Sequence, residues 1–129
     1  MPEASNATIE GKELARKIAD ICAERKAEDI VVYDVTGMSL LTDYYLICTG
    51  NAEPHLTGIA NQLQKQLGDA GLRPDRVDGA ASSKWIVMDY GTVLVHIFHR
   101  DLRRYYELEK LFDDDRLIIG EKPETITGT

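Results

Sequence analysis

The sequence predicts an α/β domain in which a mixed β-sheet is packed by helices, and three observations carry that expectation. Apolar residues recur at helical spacing in three separate segments. The β-branched and aromatic runs between them come in neighbouring groups rather than singly. The clearest pair, residues 85–90 and 93–98, is separated only by Gly91 and Thr92, which reads as a β-hairpin. The element order is therefore α, β, β, α, β, β, β, α. Strands that follow one another so closely argue against a wholly parallel sheet.

The elements follow in order. Residues 1–8 read as a flexible N-terminus. Over residues 9–26, Leu14, Ile18, Ile21 and Cys22 form one helical stripe, with Thr8 as N-cap and Glu10 in the first turn. Residues 30–35 are β-branched on both parities, as in an inner strand covered on both faces. Residues 44–49 form a second strand, closed by Gly50 and Asn51. A long helix follows over 53–69, with Leu56, Ile59, Ala60, Leu63 and Leu67 on one face and Gly71 and Pro74 as its stop. Residues 76–78 read as a short strand and 79–84 as a loop. After the hairpin, Asp101 caps a third helix that runs through Phe112. Residues 9–114 thus form one domain, and 115–129 read as a flexible tail.

Composition narrows the function classes. The chain has 129 residues, 43% apolar and 29% charged, which suits one globular domain. No apolar run approaches the roughly 18 residues needed to cross a bilayer. The polar, acidic first residues lack a signal or transit pattern, so a cytoplasmic location is expected. Cys22 and Cys48 each sit in an apolar stretch and read as reduced core thiols. The net charge of −7 disfavours direct grip on a phosphate backbone; it is compatible with a basic protein partner and equally with a role in solubility alone.

Candidate binding residues lie on the hairpin. Side chains alternate along a strand, so an even-numbered loop puts Trp85, Val87 and Asp89 on one face with Leu94, His96 and Phe98. The opposite face, Ile86, Met88, Val93, Val95 and Ile97, is uniformly aliphatic and reads as core. A face that mixes a large aromatic ring with Asp and His suits either a protein-docking patch or a core under a helix. Tyr105 and Tyr106 on the third helix point about 100° apart, so one can reach the edge of that patch.

Other chemistries find less support. Nucleotidyl transfer needs closely spaced metal-binding carboxylates. Asp43 and Asp89 are available, but Tyr44 and Tyr45 stand where a second carboxylate is needed, so no catalytic residue is assigned. His96 and His99 have H-x-x-H spacing but fall on opposite strand faces, and no metal site is assigned. No phosphate-cradling glycine motif or nucleophile elbow occurs, and no cofactor is expected. Trp85, Tyr90 and Phe98 have the rings to stack on RNA bases, but the acidic charge argues against nucleic-acid readout as the main contact.

Three stretches together resemble the ribosomal silencing factor family, also called Iojap-like proteins, over residues 14–114. They are Asp34 to Thr36 with the run Leu41-Thr42-Asp43-Tyr44-Tyr45-Leu46-Ile47-Cys48-Thr49-Gly50, the hairpin from Trp85 to Phe98, and Arg103 with Tyr105-Tyr106, Leu108-Glu109 and Leu111-Phe112. The departures are mild: Asp78 where glutamate is usual, Phe112 where tryptophan is usual, and Thr92 where aspartate is frequent. The resemblance implies a nucleotidyltransferase-like fold without its catalytic residues. It implies a translational repressor that binds the large ribosomal subunit through its ribosomal protein fourteen and blocks joining of the small subunit. It also implies a homodimer when free. The residues expected to meet the partner are Trp85, Leu94, His96 and Phe98 as anchors, with Asp78, Asp89, Glu109, Tyr105 and Tyr106 around them.

Overall fold

The computed structural model of the chain describes residues 9–121. The expected flexible N-terminus with its Thr8 cap, and the last eight residues of the expected tail, lie outside them.

Helix α1 (Gly11–Glu24) buries Leu14, Ala15, Ile18, Ala19, Ile21 and Cys22, spaced three and four apart. Glu10, expected inside the first turn, is instead the N-cap residue, and its side chain makes no cap bond. The Gly11 N–H donates to Thr92 Oγ1 at 2.9 Å, which ties this helix start to the hairpin loop. The helix closes with Lys26 at φ 64° and the Ala27 N–H on the Cys22 carbonyl at 3.0 Å. This closure is one that glycine usually makes.

Helix α2 (Glu53–Asp69) keeps the predicted bounds and buries the predicted stripe. Here a glycine does make the closure. Gly71 takes φ 87° and the Leu72 N–H reaches the Leu67 carbonyl at 2.8 Å.

The strands are β1 (Glu28–Asp34), β2 (Tyr44–Gly50), β3 (Arg76–Ala80), β4 (Trp85–Asp89), β5 (Val93–His99) and β6 (Leu117–Ile119). They form one six-stranded sheet in the order β3-β4-β5-β2-β1-β6. Only β2 and β5 run parallel, with Tyr44 opposite Val93 and Gly50 opposite His99; the other pairs are antiparallel. The mixed sheet is as expected. A parallel pair needs a crossover, and α2 lies within it.

Both long helices lie on one face of the sheet. They form the main core with Val32, Leu46, Cys48, Ile86, Met88, Val93, Val95 and Ile97. Burying a side chain of this size contributes roughly 1.5–3 kcal/mol. Within this core Cys22 hydrogen-bonds Cys48, which together with burial holds the Cys22 thiol well above its usual pKa. The two cysteines are free, buried thiols.

The C-terminal segment departs from expectation. The predicted helix through Phe112 ends early: α3 spans Arg100–Tyr106, with His99 rather than Asp101 at the N-cap. The His99 ring Nδ1 accepts the Asp101 N–H at 3.2 Å. Glu107 turns left-handed at φ 48°, which a continuing helix cannot accommodate. Two short 3₁₀ turns, Leu108–Leu111 and Asp114–Arg116, then lead into β6. The predicted tail therefore contains a strand, paired with β1 through Val32 and Tyr33.

This doubled-back segment covers part of the second sheet face. Leu102, Leu108, Phe112 and Leu117 pack there over a smaller cluster of Val31, Tyr33, Val35, Ile47 and Phe98.

Candidate functional site

The hairpin register is the predicted one. Trp85 pairs with Phe98, Val87 with His96 and Asp89 with Leu94, all on one face. The Tyr90 N–H donates to the Val93 carbonyl at 2.9 Å, so the loop is Gly91-Thr92. Gly91 takes φ 84°, and its N–H is held by Asp89 Oδ1 at 2.8 Å. Asp89 thus shapes the turn as well as standing on the face.

At the centre, the Trp85 indole Nε1–H donates to His96 Nδ1 at 3.1 Å. An indole nitrogen can only donate, so the neutral imidazole carries its proton on Nε2. Burial pushes the His96 pKa down to about 4, which keeps the ring neutral at physiological pH. The Nε2 atom is buried without a hydrogen-bond partner among the described residues.

The rings form a connected cluster. Trp85 lies 4.8 Å from Phe98 and 5.0 Å from Tyr106, Tyr106 lies 5.0 Å from Tyr105, and Tyr45 stacks on His96 at 5.2 Å. Such pairs hold geometry beyond their area burial.

Burial divides the predicted anchors. Trp85, Val87, Asp89 and Leu94 are half-buried, and Tyr105 and Tyr106 are exposed. Asp78 stands exposed on edge strand β3, opposite Val87. Phe98 is fully buried, and His96 keeps only 7% of its surface, so neither is an open anchor as expected. Phe98 lies in the small cluster under the C-terminal segment, and His96 lies beneath Tyr45 and Trp85. Both support the exposed rings from below.

Glu109 is also corrected. It is not a rim residue but a buried one, accepting a hydrogen bond from Arg103 Nε at 2.6 Å. Arg103 Nη1 donates to Thr49 Oγ1 of β2, also at 2.6 Å. The expectation put Glu109 at the rim, on a third helix running through Phe112. The left-handed break at Glu107 turns it inward.

Several exposed apolar residues were not singled out from the sequence. Met38, Leu40 and Leu41 stand on the loop between β1 and β2, and Leu40 is fully exposed. The signal was present: a Leu-Leu pair follows Gly37 in a segment with neither strand nor helix periodicity.

Of the carboxylates considered for metal chemistry, Asp89 is engaged in the hairpin turn, where its Oδ1 accepts the Gly91 N–H. Asp34 Oδ1 caps the Thr36 N–H at 3.0 Å, and hydrogen bonds from Thr36 lower its pKa. His99 is engaged at the start of α3, away from His96. Among the described residues, no group of three His, Cys, Asp or Glu side chains could hold a metal ion. No helix there is long and apolar enough to cross a membrane.

Fold and site define an α/β domain that presents a half-covered sheet face, aromatic at its centre and acidic at its edge. Residues 8–128 match the family described as "Ribosomal silencing factor during starvation". The chain belongs to that family. It is 39% identical over 103 residues to "Ribosomal silencing factor RsfS" of Bacillus subtilis (strain 168), covering 80% of this chain and 87% of the relative. It is 30% identical over 105 residues to the Mus musculus protein "Mitochondrial assembly of ribosomal large subunit protein 1", covering 75% of this chain and 46% of that one. Among solved structures, a Bacillus halodurans protein superposes with TM-score 0.74 at 36% identity, over 84% of this chain and 99% of its own. A Chromobacterium violaceum protein superposes with TM-score 0.76 at 27% identity, over 92% and 94%. The name of the Bacillus subtilis relative is that of a regulator, and the mixed sheet packed by helices is the fold class expected from the sequence.

Proposed function

We propose that this protein represses translation in the cytoplasm by occupying the joining face of the large ribosomal subunit. It does so by docking on ribosomal protein fourteen, and the small subunit is excluded sterically. No cofactor, metal or catalytic step is needed, and no direct nucleic-acid readout. The free chain pairs with a second copy of itself.

The observation that supports this reading best is the half-exposed Trp85, held by His96 and flanked by the exposed Tyr106. A large ring pre-positioned by buried neighbours loses little freedom on binding. Val87 and Leu94 extend the apolar surface beside it, and Asp78 and Asp89 give it an acidic rim. His96 and Phe98 act through Trp85 rather than by contact.

Purified protein should co-sediment with isolated large subunits and depress their joining to small subunits. Trp85→Ala should weaken capture about 30-fold, which corresponds to roughly 2 kcal/mol. Asp89→Lys should slow association and reduce its salt sensitivity. Unchanged subunit capture by a folded Trp85→Ala variant would remove the site.

A further inference from the structure

The loop between β1 and β2 carries Met38, Leu40 and Leu41 with 49%, 106% and 74% of their surfaces exposed. Its shape does not depend on those side chains. Asp34 Oδ1 accepts the Thr36 N–H at 3.0 Å, the Met38 N–H reaches the Val35 carbonyl at 2.9 Å, and Ser39 Oγ accepts the Leu41 N–H at 3.0 Å. Gly37 takes φ 84° within that turn, and the Val35 N–H closes the base of the loop on the Asp43 carbonyl at 2.8 Å. Backbone and short polar side chains thus build the loop, and its two leucines stand outside the core.

Its place in the fold joins it to the docking face. The Asp43 and Tyr44 N–H groups both reach the Thr92 carbonyl, at 3.2 and 3.0 Å, so the base of the loop sits against the hairpin turn. Tyr45 is the register partner of Leu94, and both are half-buried on the face that carries Trp85 and Asp89. The open half of that face is its hairpin end, and the loop leaves the sheet at the same end.

Charge selects what covers it. From Asp34 to Asp43 the segment has a carboxylate at each end and no basic residue. Asp75 and Asp89 lie at the adjoining turn, both beside Gly91. Lys12 and Arg116 offset Asp34, and Arg76 pairs with Asp78 at 4.0 Å, so Asp43, Asp75 and Asp89 set the local sign. Apolar side chains framed by carboxylates fit a basic protein surface that has an apolar pocket. An anionic lipid surface is repelled by the same carboxylates. Aliphatic side chains offer no ring on which a nucleic-acid base could stack.

We propose that Met38, Leu40 and Leu41 form a second anchor, which enters an apolar pocket on the same basic ribosomal protein that meets Trp85. The inference rests on the docking reading above and extends its contact surface from the hairpin to this loop. Hydrogen bonds within the loop fix its course before binding, so its leucines lose little freedom on docking.

Co-sedimentation with isolated large subunits tests this, with Trp85→Ala run alongside. The combined Leu40→Ser and Leu41→Ser variant should keep the wild-type urea midpoint and capture subunits at least about tenfold more weakly. The combined Leu40→Met and Leu41→Met variant should stay within about threefold of wild type, because volume and apolarity are retained. The same pattern should appear with the isolated ribosomal protein in place of the subunit. Asp43→Asn should weaken capture at low salt and have no effect at high salt. If the double Ser variant captures subunits like wild type while Trp85→Ala does not, the loop anchor is overturned and the hairpin site stands. A wild type that captures no subunits would overturn both readings. With capture unchanged, loop-dependent binding to vesicles of phosphatidylglycerol and phosphatidylethanolamine would assign the loop to a lipid surface, and loop-dependent self-association would assign it to a second copy; either result overturns the proposal.

Discussion

One strand face behaves as two regions. At the far end of β5, Phe98 is fully buried and His96 nearly so; at the hairpin end, Leu94 on the same face is half-exposed beside Val87 and Asp89. Sequence alternation treats these positions alike. The difference is made at Phe98 by the segment from Leu102 to Leu117, and at His96 by the rings of Tyr45 and Trp85. A sheet surface can therefore be core and open face within a few residues, with the buried half acting as the footing of the open one.

That division can be broken at the pin that holds the covering segment. Arg103, Glu109 and Thr49 form a buried chain of hydrogen bonds between α3, the following turn and β2. Glu109→Ala leaves the guanidinium buried without its carboxylate and should cost about 3–5 kcal/mol, read as a fall in the urea midpoint. If the covered half is held mainly by apolar contacts, the loss will instead be under about 1 kcal/mol.

Acid should act next. His96 titrates near 4 when folded, against about 6.5 in an unfolded chain. The unfolded state binds the extra proton first, so stability falls as pH drops from about 6.5 to 4 and is unchanged by this group outside that window. The expected loss is on the order of 3 kcal/mol, and His96→Gln should flatten that part of the stability curve against pH. Protonation would also oppose the Trp85 N–H with a second donor, so indole fluorescence should change in step.

The comparison is sharpened by two truncations on one face. Phe98→Ala should cost about 3–5 kcal/mol of stability. Leu94→Ala, at a half-open position, should cost less than about 1.5 kcal/mol while weakening subunit capture. Equal stability losses would mean that both ends of the face belong to one core.

Much of this was legible in the chain. The stripe of α2 and its Gly71 closure, the two-residue hairpin loop and the shared face of Trp85 and His96 all follow from local periodicity and turn chemistry. The short helix was not. Asp101 is a plausible cap and residues 101–112 carry helical spacing, but Glu107 breaks the run in a conformation that its residue type does not announce. Strand β6 was missed because three residues carry too little pattern, and their pairing with β1 depends on where the preceding turns leave the chain.

The sequence by itself determined which residues share a face, because side-chain period is a property of the local backbone. It determined the aliphatic core side, the mixed sheet and the identity of the Trp85 patch in the same way. Tertiary structure alone decided which part of the patch faces solvent. Coverage depends on contacts between Arg103, Glu109 and Thr49, and Thr49 lies far from the other two along the chain. No local rule encodes such a meeting.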